Sequence, residues 1–277
     1  MPLWINAKIN KANSLADQKK CDQALAIMDG LFPQHSFLDS YARLEYVEFT
    51  KTCTNFYPEN NLAYIKKDLQ LIKEAVKIQP FYTRYWIFLG NSTTFLAGQD
   101  GSTDTKNNLI KQAKFYFNKA SELSPKRQEI LVGQAKIAIV AGDYKSAEDY
   151  SKKCIALNPD LGDCYFYLAI SNIYTKNMAE ADRNIKIADS KIYNTDHQTR
   201  LTELVNAYEY ILDYQNLAAT FEKLIELNPN IAQYHSSLAF VYFKLGKFEE
   251  ARQEAMIVLK LSPESKQNVD DFLKTLP

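Results

Sequence analysis

Glycine and proline are scarce in this chain, at 8 and 9 among 277 residues. So few breakers leave room for long uninterrupted elements, which suits helices better than many short, turn-bounded strands. An excess of one charge is also missing, since Lys plus Arg and Asp plus Glu number 33 each. A balanced chain has no global field to draw in nucleic acid. The densest basic stripe, Lys66, Lys67, Lys73 and Lys77, is interleaved with Asp68 and Glu74. That alternation describes a solvated helix face, so no nucleic-acid partner is expected. Long apolar runs are absent as well. The longest, Ile130 to Ala141, is broken by Gln134 and Lys136 and is too short to cross a bilayer. The opening MPLWINAKINKANSLADQ lacks the apolar core of a secretory signal. As written, the chain reads as soluble and cytoplasmic, with no membrane insertion of its own.

Chemistry-bearing groups are equally sparse. The three histidines, His35, His197 and His235, lie far apart and form no HExxH pair. No GxSxG elbow, Walker loop or GxGxxG occurs. The acidic pairs Glu249-Glu250 and Asp270-Asp271 suit helix starts, where they complement the helix dipole. Cys21, Cys53, Cys154 and Cys164 contain no CxxC pair and are expected to be reduced, packed thiols. Cys154 and Cys164 fall on consecutive helices, where a disulfide is possible but not implied. Catalytic residues, metal ligands and cofactors are therefore not expected, and the chain reads as no enzyme.

What is present is apolar material, 46% of the residues, arranged with a long period. Segments ending in a short apolar run, a polar residue and proline recur as AVKIQP, ASELSP, CIALNP, LIELNP and VLKLSP. Pro125 and Pro159 are 34 apart, as are Pro229 and Pro263, while Pro159 and Pro229 are 70 apart. Lys191 to Asn194 stands where the missing proline ending would fall. Ala147, Ala181, Leu217 and Ala251 run in phase at spacings of 34, 36 and 34. Each follows an apolar or aromatic residue by three: Tyr144, Met178, Tyr214 and Phe248. Gly142-Asp143-Tyr144 and Gly246-Lys247-Phe248 occupy matching places and read as tight turns between two amphipathic helices. Small residues at Gly90, Ala169 and Ala239, and at the in-phase alanines, let helix backbones approach. Proline stops the helix by removing a donor and constraining the residue before it.

These residues resemble the tetratricopeptide repeat (TPR), a 34-residue helical hairpin with W-x2-L-G-x2-Y, A-x3-F, A and P. Trp86, Leu89 and Gly90 supply the first element, and Leu238, Ala239, Tyr242, Ala251, Ala255 and Pro263 follow the template in the last repeat. Leu201, Leu204, Tyr208, Phe221, Leu224 and Pro229 do so in the repeat before it, and Tyr165, Leu168, Ala169, Ala181 and Ala188 mark another. The resemblance implies an all-α fold: a right-handed superhelical solenoid of TPR-type antiparallel helix hairpins, about five clear plus two diverged repeats and a C-terminal capping helix. Residues 1–82 hold the diverged repeats, with a turn at Tyr57-Pro58-Glu59-Asn60. Residues 83–262 form the TPR array, with units near 83–127, 128–161, 162–197, 198–231 and 232–262. A flexible polar loop, 97–108, is inserted in the first of these, and 263–277 form the capping helix that a solenoid end needs.

In a TPR stack the first helix of each hairpin lines the concave groove. Its outward places give Ile87, Asn91, Thr94, Lys136, Phe166, Ile170, Asn206, Phe240 and Phe243 as partner-binding candidates. Asn91 and Asn206 would hold peptide backbone, and Phe166, Phe240 and Phe243 would anchor apolar side chains. Lys136 is the one basic residue at these places, so the carboxylate clamp of co-chaperone TPR proteins is not expected. The implied function is a non-catalytic scaffold that binds a protein or peptide segment. The order Arg84-Tyr85-Trp86-Ile87-Phe88-Leu89-Gly90, an inserted loop, Ser124-Pro125-Lys126-Arg127-Gln128 and a Pro-Glu-x-Lys tail is also similar to the TPR region of some bacterial O-antigen-ligase-like membrane proteins. That resemblance implies an accessory region of a membrane glycan-transfer protein, associated with a membrane complex, with catalysis elsewhere.

Overall fold

A computed structural model of the chain describes residues 3–32, 39–56, 60–99 and 102–277. Among them the elements are helical, apart from one isolated parallel bridge, Leu161 to Ile192. The chain divides into two compact units, Met1–Asp143 and Tyr144–Pro277. The first holds α1 (Leu3–Asp17), α2 (Cys21–Asp29), α3 (Asp39–Phe56), α4 (Asn61–Ile78), α5 (Thr83–Gln99), α6 (Thr103–Leu123) and α7 (Gln128–Val140). The second holds α8 (Tyr144–Leu157), α9 (Gly162–Tyr174), α10 (Met178–Asp189), α11 (His197–Ile211), α12 (Tyr214–Leu227), α13 (Ala232–Lys244), α14 (Phe248–Leu261) and α15 (Lys266–Lys274). Within each unit a helix packs on its successor, except that α11 packs on α9 and not on α10, and α1 on α3 and α5 on α7 also touch. Each unit is thus a row of helix hairpins of the TPR type.

The prolines act as the sequence predicts. Gln79, Ser124, Asn228 and Ser262, each just before a proline, leave the helical region for φ between −133° and −148°. The proline ring crowds the preceding residue and disfavours the helical region there. At the other end of the hairpin the chain reverses through a left-handed residue, at Lys19 and Gly142 in the first unit and at Lys176, Leu212 and Gly246 in the second. Each carries the same pair of closing bonds, such as Gly142 N to Ile139 O with Asp143 N to Ala138 O, or Leu212 N to Glu209 O with Asp213 N to Tyr208 O. This is a Schellman ending. The two glycine turns were visible in the sequence. Lys176 and Leu212 take the same geometry although a Cβ opposes it. Leu212 is 64% exposed, so its side chain gains little there. Leu212→Gly is expected to raise the unfolding free energy by about 0.5–1 kcal/mol, read as a higher urea midpoint at unchanged slope.

Small residues sit where close approach demands them: Ala147, Ala169, Ala181 and Ala251 are buried, and Leu217 fits the same kind of place in α12. In the first unit the buried Phe117 ring of α6 lies against Gly90 of α5 and Gly133 of α7. A Cβ at Gly90 would come within 2.7 Å of that ring, and one at Gly133 within 2.2 Å.

Two expectations are corrected. The polar stretch 97–108 is not an inserted loop: α5 continues to Gln99 and α6 begins at Thr103. The extra residues lengthen the two helices to 17 and 21 residues, since Thr103 to Asn108 offers no proline or glycine to prevent it and Asp104 suits a first turn. The thiols are not reduced either. Cys21 is bonded to Cys53 and Cys154 to Cys164, because α2 meets α3 and α8 meets α9 with Cα separations of 5.7 and 5.5 Å. The turn expected at Tyr57-Pro58-Glu59 lies outside the described residues, between two helices of 18 residues each.

The spacing of 36 in place of 34 has a structural cause. After α10 the chain pairs briefly with the start of α9, through Gly162 N to Ile192 O (2.6 Å) and Ile192 N to Asp160 O (3.2 Å). A Cβ on Gly162 would lie 2.9 Å from the Ala188 carbonyl oxygen, so this approach requires glycine. The buried Asp163 carboxylate then accepts from the amides of Asn194 (2.7 Å) and Thr195 (3.1 Å). Asp163→Ala would leave two amides without their acceptor and is expected to cost about 2–3 kcal/mol in chemical denaturation.

Candidate partner-binding surface

The groove candidates do not share one environment. Ile87, Phe166 and Ile170 are buried in their units, and Thr94 is buried with its hydroxyl donating to the Gly90 carbonyl at 2.8 Å. Ile87 packs with Phe117, Ile130 and Ile137, so it belongs to the core and not to a contact face. Phe166 meets Tyr167 edge-on at 5.2 Å and Tyr193 at 6.3 Å. The physical reason is that α9 has α8, α10 and α11 packed around it, which leaves few of its side chains a route to solvent. Asn91 is exposed and Lys136 half-buried in the first unit. Asn206 on α11 is exposed, as is Phe240 on α13, while Phe243 is half-buried.

The second unit therefore presents the better-defined surface. Phe240 is 49% exposed although Leu238, Ala239 and Val241 beside it are buried. Phe243 is held between Phe248 and Phe272, with both ring centroids 6.1 Å away, so α14 and α15 fix its position. Lys244 Nζ stands 5.1 Å from the Phe240 ring centre and 5.7 Å from that of Phe243, a cation over two aromatic faces. Lysine at 244 was not singled out from the sequence. Its place one turn beyond Phe240 is the signal that could have found it.

A second aromatic group also escaped the sequence reading. Tyr144 stacks on Tyr174 with centroids 4.7 Å apart, and Tyr210, 62% exposed, meets them at 6.2 and 5.0 Å. Burial, and then the nearby Glu203 carboxylate, push the Tyr174 hydroxyl up to about 12. The Tyr144 hydroxyl is also raised, by burial and then by its hydrogen bond with Tyr210. Both phenols stay neutral near pH 7 and can serve as hydrogen-bonding rims to an apolar platform.

His235 is buried, with Nε2 donating to the Pro229 carbonyl at 2.9 Å and Nδ1 sharing a hydrogen bond with Glu254 at 2.6 Å. The contact ties α13 to α14. His35 lies outside the described residues. Among the described residues no group of three His, Cys, Asp or Glu is placed to hold a metal ion. None of their helices is long and apolar enough to cross a membrane.

Two segments, 129–161 and 220–253, match tetratricopeptide-repeat family models. The first coincides with the second unit of the array, and the other straddles the last two. Among solved structures, the chain is similar to a TPR protein from Parabacteroides merdae ATCC 43184, with TM-score 0.61, 14% identity and 97% of each chain covered. It is similar to a chain of the APC/C hetero-tetramer Cut9–Hcn1 at TM-score 0.63 and 15% identity, covering 95% of this chain and 48% of that one. The chain thus spans about half the length of that neighbour. A thermophilic TPR protein of Thermus thermophilus aligns at TM-score 0.54 and 17% identity, over 75% of this chain and 98% of the other. No curated protein matches the sequence significantly. The two matched segments are tetratricopeptide repeats, and the fold is of the TPR type. Neither the family models nor these neighbours bring in an O-antigen-ligase-like region.

Proposed function

We propose that the chain is a non-catalytic scaffold that holds a peptide segment of a partner protein on the exposed faces of α11 and α13. Phe240 carries the reading. A large ring left half in water, on a helix whose neighbouring residues are buried, is an apolar anchor with half its surface open to a partner. Lys244 above it favours a segment that places a carboxylate beside its own apolar side chain. Asn206 offers an amide donor and acceptor for the segment's backbone. Asn91 and Lys136 are polar positions of the same kind in the first unit, whereas Ile87, Thr94, Phe166 and Ile170 support their helices from within.

The test is capture of peptides from a random display library, followed by affinity measurement on the enriched sequences. Enrichment of apolar-plus-acidic segments is expected, and Phe240→Ala should weaken them by about 30-fold, the size of an interface hot spot. The melting temperature should stay near that of the parent, because the ring is half exposed. Undiminished affinity in Phe240→Ala would remove this face as the binding surface.

A further inference from the structure

Both disulfides lie in the interior. Cys53, Cys154 and Cys164 are fully buried, Cys21 is nearly so, and no free cysteine remains. Packing alone does not account for this. A buried residue touches about 6–12 others, so a given partner falls within reach about once in thirty in a chain this long, and two pairings that use every cysteine arise by accident on the order of once in a few hundred. Nor does the position of Cys154 require sulfur, since the corresponding places in later repeats hold Ala188, Leu224 and Val258, all buried. Each bridge also joins consecutive helices, α2 to α3 in one unit and α8 to α9 in the other.

We propose that these repeats fold in a thiol-oxidising, exocytoplasmic compartment, where the Cys21/Cys53 and Cys154/Cys164 dithiols are substrates of a thiol–disulfide exchange catalyst. In each transfer a thiolate of the chain attacks the catalyst's disulfide, breaking that S–S bond and forming a mixed disulfide. The second cysteine's thiolate then displaces the catalyst sulfur. The chain gains one S–S bond, and the catalyst leaves as a dithiol that carries the two electrons, with the two protons passing to it or to water. Because the sulfurs are inaccessible in the finished fold, oxidation accompanies the packing of α2 on α3 and of α8 on α9. A reducing cytosol would hold the same pairs as thiols. The proposal replaces the cytoplasmic setting expected from the N-terminal sequence. It is independent of the route by which the chain arrives and of what its surface binds.

Protein isolated from its own cells after fractionation, denatured, and treated with iodoacetamide before any reductant tests this. No label is expected without reductant, four labels are expected after it, and linked peptides should join Cys21 to Cys53 and Cys154 to Cys164 in the exocytoplasmic fraction. Labelling of all four cysteines without reductant, a different pairing, or residence of the oxidised protein in the cytosol would overturn it. As a second measurement, the reduced, denatured chain refolded in a glutathione redox buffer should recover the same two bridges. Its melting temperature should then fall by about 5 °C or more on reduction. Identical melting of oxidised and reduced protein counts against the proposal.

Discussion

Phe117→Ala is expected to lower the unfolding free energy of the unit Met1–Asp143 by about 3–5 kcal/mol, the usual cost of removing a buried phenylalanine ring. The ring is fully buried and contacts the backbone of two other helices through Gly90 and Gly133. Gly133→Ala should also be destabilising in the parent, although alanine favours the helix by about 1 kcal/mol. Its Cβ would stand 2.2 Å from a ring carbon, so the ring or a helix must move, at about 1–3 kcal/mol or more. The informative experiment is the double-mutant cycle in urea. With Phe117 already replaced, the added methyl enters vacated space, and Gly133→Ala should turn from destabilising to stabilising. Equal losses in both backgrounds would show that the ring does not set the α5–α6–α7 spacing.

Asp68 carries the second large effect, and it depends on pH. The side chain is buried on α4, and burial, opposed in part by Thr50 and Lys51, pushes its carboxyl up to about 7 from an ordinary 3.8. Local geometry agrees. Thr50 Oγ1 lies 2.7 Å from Asp68 Oδ2 and 2.8 Å from the Val47 carbonyl, yet the hydroxyl has a single hydrogen. A protonated Asp68 donates to Thr50, which then donates to Val47, and both contacts are satisfied. An ionised Asp68 competes with Val47 for that hydrogen, and its Oδ1 has no partner among the described residues. Below about pH 3.8 folded and unfolded chains both hold the proton, so the group contributes nothing. As pH rises toward 7 only the folded chain keeps it, and stability falls, reaching a loss of about 4 kcal/mol above pH 7. Asp68→Asn should abolish this slope, matching the parent near pH 4 and exceeding it by a few kcal/mol at pH 8. Parallel stability curves for the two proteins between pH 4 and 8 would refute the assignment.

Most of the architecture was legible in the residues. Proline endings and the two glycine turns act through local sterics, which do not depend on distant contacts, and the in-phase alanines show by their period before their packing partners are known. What stayed illegible had non-local causes. The polar run 97–108 reads as a loop by composition, but no breaker falls in Thr103 to Asn108, the single Gly98 costs α5 only about 1 kcal/mol, and packing of α5 on α6 supports both extensions. Lys176 and Leu212 hide their left-handed turns because the hairpin imposes that geometry against the residue's own preference. The surface was the least legible part. A fixed repeat register treats every first helix alike, yet α9 is enclosed on several sides while α13 leaves Phe240 in water.

By itself, then, the sequence determined the helical hairpin and its stride, because proline and glycine act on the few bonds around them and the period of the small residues shows in the residues alone. Only the tertiary structure decided which faces reach solvent, which cysteines meet, and which carboxyl keeps its proton. Those depend on the neighbours that packing brings together from tens of residues away, and on how far water is shut out between them.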